Sequence, residues 1–161
     1  MGNTITVRSV VLDAIASVID GIQVNLPIAD PYGYSFPNVT REPLNACPAG
    51  HQSAVGVYGG TSKRTAMAVW RQVILPVTIE VYANTAGQKN DDQSRMIESM
   101  MGAIERALFV DLSLGGLLAN MEVVGDQVTV DGAYATGAMG ALFLEVTYFQ
   151  AETDPRQRRG F

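Results

Sequence analysis

The sequence predicts a single α+β domain, with a mixed, mainly antiparallel β-sheet packed against two main helices, and three observations carry the prediction. Apolar side chains recur at three-and-four spacing in two separated stretches, residues 4–20 and 92–109, which is the period of a helix with one buried stripe. Apolar–polar alternation, the period of a half-buried strand, stands on both sides of the second stretch, at 53–84 and 141–150. The strands come in local groups and do not alternate one by one with helices, which favours hairpins over repeated βαβ units.

The first helix rests on Val7, Val10, Val11, Ala14, Ile15, Val18 and Ile19. Thr4 is expected to cap its start and Gly21 to end it. Its β-branched content lowers helix propensity and allows a strand in part of the segment; the spacing decides for a helix. From Pro27 to about Gln52 the chain carries five prolines and few periodic apolar positions, so a long connection is expected. Such connections are uncommon inside compact domains and often carry contacts. Residues 27–52 are either a passive surface loop or a partner-binding one, with Tyr32, Tyr34, Phe36 and Arg41 as candidate contacts.

"SAVGVYGG", residues 53–60, reads as a short strand ending in a glycine turn. "TAMAVWRQVILPVTIEVYAN", from Thr65 to Asn84, reads as two extended stretches or one long bent strand, with Val77, Ile79 and Val81 on one face and Pro76 at an edge, bulge or bend. After a polar loop, Asp91 or Asp92 is placed to cap the second helix, whose stripe is Met96, Ile97, Met100, Met101, Ile104, Ala107 and Leu108. Core packing explains a methionine stripe at this spacing better than an adaptable binding surface does. Then come a strand from Leu117 to Val124, a turn at Gly125 and Asp126, "QVTV" at 127–130, a glycine-rich crossing at Gly132, Gly137 and Gly140, and "ALFLEVTYFQ" at 141–150, which reads as a central strand.

The totals bound the function. The chain has 161 residues, and a domain of about this length buries roughly two thirds of the surface its unfolded chain exposes. A hydrophobic share of 47% with 17% charged residues is that of a globular protein. The start lacks the continuous apolar core of a secretory signal, and no window has the roughly 20 apolar residues of a membrane-spanning helix, so a soluble protein without a membrane partner is expected. A formal charge of −5 argues against a surface built to hold phosphate backbones. Cys47 and His51 are the only cysteine and the only histidine, too few for a zinc site, and their closeness in the loop is weak evidence for a nucleophile pair. No cofactor is implied.

Two glycine-rich stretches invite a phosphate-binding reading. "DLSLGG", 111–116, follows a helix and precedes a strand, the wrong end for an anion-holding helix N-terminus, and lacks the lysine and hydroxyl of a P-loop; it reads as a helix-to-strand turn. "GGTSKR", 59–64, is followed by a strand and reads as a hairpin turn rather than an anion nest. At the C-terminus, residues 153–161 form a basic arm, expected to be flexible, in which Arg156, Arg158 and Arg159 are three of the nine arginines. The arm is either a solvated tail or a segment that docks on an acidic neighbouring subunit or lines a passage for DNA.

The order of parts, "VRSVVLDAI", "AVGVY", "WRQVILPVTIEVYAN", "DDQSRMIESMMGAIERAL", a glycine-marked crossing and "ALFLEVTYFQAE", resembles the tail terminator proteins of long-tailed bacteriophages, also called tail completion or head-tail joining proteins, over nearly all of residues 7–152. Patterns of apolar spacing carry the likeness more than invariant residues. It implies a non-enzymatic structural subunit of the virion, at the head-proximal end of the tail after assembly in the host cytoplasm. Such a subunit forms a hexameric ring that caps the tail tube, ends its polymerisation and joins it to the head connector. The implied partners are further copies of the chain, a tail tube protein and a head-tail connector protein, while DNA passes through without specific binding. The 27–52 loop and the arginine arm depart from the compact family pattern and leave a stopper, an adaptor or a tube subunit open. From another class, a small-ligand-binding module or an enzyme with residues 27–62 as a lid remains the alternative.

Overall fold

The computed structural model describes residues 5–22, 36, 38–44, 53–84, 90–130 and 137–159. The elements are α1 (Val7–Asp20), β1 (Val39–Thr40), β2 (Ser53–Gly59), β3 (Lys63–Met67), β4 (Trp70–Asn84), α2 (Asn90–Phe109), β5 (Asn120–Val130) and β6 (Gly137–Ala151). The strands make one six-stranded sheet in the order β1-β2-β4-β6-β5, with β3 also on β4. β1 runs parallel to β2 and every other pairing is antiparallel. The architecture is therefore α+β in one compact domain, as the sequence predicts. Among the described residues no helix is long and apolar enough to cross a membrane.

β4 and β6 pair along their whole length, from Trp70 opposite Ala151 to Asn84 opposite Gly137. On one face of this ladder Val73, Leu75, Val77, Ile79, Val81 and Ala83 meet Leu142, Leu144, Val146 and Tyr148, all buried. The helices cover that face with the predicted stripes: Val7, Val11, Ile15 and Ile19 of α1, and Ile97, Met100, Met101, Ile104 and Leu108 of α2, join the same cluster. α2 comes close because Gly140 of β6 has no side chain. A Cβ there would lie 2.3 Å from Met101 Sδ and 2.5 Å from Ile97 Cγ2.

Thr6, not Thr4, caps α1: its side chain accepts from the Ser9 N–H at 3.2 Å, and Gly21 closes the other end. Thr4 lies outside the described residues. α2 begins at Asn90, which puts Asp91 and Asp92 inside the first turn and not at the cap. Spacing fixes the buried face of a helix but not its first residue, and helix ends shift by one or two positions.

The segment from Ser53 to Asn84 corrects one expectation, the hairpin turn at 59–64, and decides for two extended stretches over one long bent strand. β2 and β3 do not form a hairpin with each other; both run antiparallel to β4 along the same edge, β2 facing Val77–Ala83 and β3 facing Trp70–Ile74. "GGTSKR" is therefore an interruption in one edge, and the reversal falls at Ala68 and Val69, between Met67 and Trp70. Pro76 explains the interruption. Its carbonyl accepts from the Gly60 N–H at 2.8 Å, and in an antiparallel ladder the reciprocal bond would run from the N–H of residue 76 to the Gly60 carbonyl. Proline has no such hydrogen, so Arg8 Nη2 donates to the Gly60 carbonyl instead, at 3.0 Å.

β5 also differs from expectation. It is one strand from Asn120 to Val130, and the Gly125–Asp126 turn is replaced by a bulge between Val123 and Gly125 that leaves Val124 exposed. A bulge and a two-residue turn draw on the same glycine signal. Beyond β5, the C-terminal arm continues the outer edge of β6: Ala151 N–H donates to the Gln157 carbonyl, Arg159 N–H donates to the Phe149 carbonyl, and Gln150 bridges to Arg158. The Pro155 carbonyl accepts the first N–H of α1, from Val7, at 2.9 Å. One returning segment thus serves a strand edge and a helix end.

The close seating of α2 yields a prediction. Gly140→Ala should destabilise the domain by about 1–3 kcal/mol through overpacking. Gly102→Ala, where an added Cβ meets nothing within 4 Å, should gain about 0.5–1 kcal/mol from helix propensity. Urea unfolding of both variants checks this, and a neutral Gly140→Ala would contradict the packing described.

Candidate functional site

The glycine pair is a helix-to-strand turn, as read from its position. Leu114, Gly115 and Gly116 all have positive φ, at 47°, 70° and 83°, a conformation glycine adopts without penalty. The amides that a bound anion would use are taken by the chain's own carboxylate. Asp111 accepts from the Ser113 N–H at 2.9 Å, the Ser113 hydroxyl at 2.6 Å and the Gly115 N–H at 2.6 Å. The Ser113 hydroxyl, then the Gly115 and Ser113 amides, hold the Asp111 carboxyl below the usual carboxylate range. The loop carries its own anion.

On the sheet face opposite the helices, residues 42–44 of the long loop cross β2 and β4 as a strap. Glu80 of β4 accepts from the Leu44 N–H at 2.9 Å and from the Tyr58 hydroxyl at 2.6 Å, while the Tyr82 hydroxyl donates to the Leu44 carbonyl at 2.7 Å. Gly56 permits the crossing, because a Cβ there would lie 2.5 Å from the Glu42 carbonyl oxygen. Burial, with the bond to the Glu80 carboxylate adding to it, pushes the Tyr58 hydroxyl up to about 12. Burial and then the Glu80 charge also raise Tyr82.

Of the seven candidate contact residues, Tyr32 and Tyr34 lie outside the described residues, as do Cys47 and His51. Phe36 is 1% exposed and belongs to the core, so its ring packs within its own chain and is not offered to a partner. Arg41 bonds through Nη1 to the Ser9 carbonyl and to the Asp13 carboxylate, fastening the strap to α1. Arg156 grips Asp154 at 2.8 and 3.0 Å, Arg158 sits in the bridge to Gln150, and the Arg159 guanidinium lies 5.9 Å from the centre of the Phe149 ring. The three arm arginines remain exposed at the surface. Each has its own contact within the chain, and they are not gathered at one site.

Apolar exposure is concentrated elsewhere. At the β3–β4 reversal, Met67 and Val69 stand exposed, Val69 at 72%, and the residue just past β6 braces the turn, the Glu152 N–H donating to the Val69 carbonyl at 3.2 Å. At the end of α2, Phe109, Val110 and Leu112 are exposed, Val110 at 84%. Between this end and α1 lies an apolar cleft of about 350 Å³, lined among others by Ala14, Val18, Ala107, Val110 and Leu114. Small side chains at Ala14 and Ala107 leave the hollow. Among the described residues no three of His, Cys, Asp and Glu are grouped to hold a metal ion.

Sequence reasoning missed the strap and both apolar surfaces. Glu80 looks like any outward strand acid, and Val69 and Val110 look like ordinary apolar residues in periodic segments. The signal available was the run of exposed-side apolar residues continuing past the last turn of α2. No protein-family model matches the sequence, and no curated protein matches it.

The strap predicts an alkaline response. The Tyr58 hydroxyl ionises near 10 when unfolded and near 12 when folded, so its contribution to stability is complete below pH 10 and is lost as pH rises from 10 towards 12. Tyr58→Phe should cost about 1–2 kcal/mol at neutral pH and flatten the decline above pH 10. Unfolding midpoints across that window check it; an unchanged slope would contradict the assignment.

Proposed function

We propose that the chain is a structural subunit of a phage virion: the tail terminator, which closes into a ring on the tail tube, ends its growth and joins it to the head connector. The observation that carries the reading is the pair of exposed apolar surfaces, a convex hairpin tip and a concave cleft, on one small domain. Contiguous apolar exposure on a soluble chain marks interaction sites. Two unlike surfaces suit head-to-tail association, which closes into a ring when the rotation per subunit allows and otherwise runs on as a filament.

The order of helices and strands that resembles tail terminators over residues 7–152 supports the choice of ring. The net charge of −5 supports a passage that repels phosphate and lets DNA slide. A tube subunit, a stopper or an adaptor would share these features and differ in what stacks on the ring. The cleft favours one reading of another class, a small-ligand-binding module, because its volume of about 350 Å³ lies within the range of ligand pockets.

Light scattering after size exclusion, across a concentration series, with negative-stain images of the largest species, tests the proposal. A terminator gives monomers passing to closed six-membered rings without filaments. Long filaments would assign the chain to the tube. Monomers at every concentration, with a thermal shift on adding a small apolar ligand, would favour the binding module.

A further inference from the structure

We infer that the β3–β4 hairpin tip of one copy seats in the cleft between α1 and the end of α2 of the next copy. This rests on the ring reading above and names the surfaces that make the ring.

The tip is built against its own local stability. Two-residue hairpin turns favour Asn-Gly or Gly-X, because left-handed backbone angles are needed there. Here Ala68 holds φ at +53°, a region that disfavours a side chain, and the next residue is an exposed valine. Strained positions of this kind cluster at active sites, ligand clamps and switch regions. An apolar, β-branched tip makes sense where it is covered.

The cleft matches the tip in polarity and in charge. Its walls are aliphatic, and Val110 at its lip is the most exposed of the large apolar side chains described, with Val69 at the tip next. On the outward stripe of α1, Asp20 stands three residues from Ser17, which lines the cleft, a spacing that shares a helix face; Asp13, four residues before Ser17, is already paired with Arg41. Asp111 lies at the opposite lip. Arg106, beside Ala107, already has a partner within the chain. The hairpin brings the opposite sign: Lys63 and Arg64 of β3 are both exposed. A basic strand carrying an apolar tip therefore faces an acid-rimmed apolar hollow, and rim charges of opposite sign favour encounter in that orientation. The two surfaces belong to different elements, so the contact is head-to-tail and leaves one free tip and one free cleft in every open chain of copies.

Val69→Asp and Val110→Asp test the pairing, each with circular dichroism and a thermal melt to establish that the monomer folds. Both sites are exposed, so both variants should fold. Each variant alone should associate with a midpoint concentration raised more than about tenfold. Mixed in equal amounts, the two should form a dimer that neither forms alone, because Val69→Asp keeps an intact cleft and Val110→Asp keeps an intact tip. Rings from either variant at the wild-type midpoint would overturn the pairing and leave the ring reading standing. Two impaired variants that yield no mixed dimer would also overturn it. A wild-type chain that stays monomeric, with no dimer in the mixture, would overturn the pairing and the ring together.

Discussion

The fifteen-residue antiparallel ladder between β4 and β6 is the constraint on which the rest of the structure depends. It fixes two alternating faces at once, and only one of them is apolar enough to take the helices. α2 seats at Gly140, where a Cβ would collide with Met101 and Ile97, and α1 lies beside it over β2. The other edge of β4 is shared lengthwise by β2 and β3, and the other edge of β6 by β5 and the returning arm. Shifting the ladder by one residue would turn Val77, Ile79 and Val81 to the opposite face and remove the helices' support.

What lies outside the ladder inherits its placement. Pro76 breaks the hydrogen bonding on one edge, Arg8 repairs the break from α1, and the chain beyond it runs on to the Ala68–Val69 turn. That turn is held by Glu152 at the end of β6, and the arm that follows gives its Pro155 carbonyl to the first amide of α1. Proline, arginine, hairpin tip and C-terminal arm are therefore linked mechanically, and the exposed valine at the tip is carried on a braced element. The cleft is likewise set by the frame, since α1 and α2 rest on the same buried face.

Much of this was legible in the sequence because spacing is a direct record of burial. The stripes of α1 and α2 and the alternation of Leu142, Leu144, Val146 and Tyr148 predict the faces that are in fact buried. Turn chemistry was legible only where the usual residues stand. Gly115 and Gly116 were read correctly, whereas Ala68–Val69 carries no glycine, proline or asparagine, so the sequence left residues 65–84 as either two extended stretches or one long bent strand. Gly125 gave the opposite error, since a glycine in a strand marks a bulge as readily as a turn. The strap was illegible for a different reason. Glu80, Tyr58 and Tyr82 are separated in sequence from Leu44, and only the sheet register brings them together. Surface function was the least legible, because an exposed valine and a buried one look alike until the fold assigns them.

A rigid ladder that holds two self-complementary surfaces apart is the central claim, and hydrogen exchange measured on dilute and on concentrated protein tests it most directly. Amides of β4 and β6 should exchange slowest at both concentrations, and protection gained on concentrating should fall on the hairpin around residues 65–71 and on the turn around 107–115. Protection gained at other edges of the sheet, or none gained while the mass rises, would contradict it.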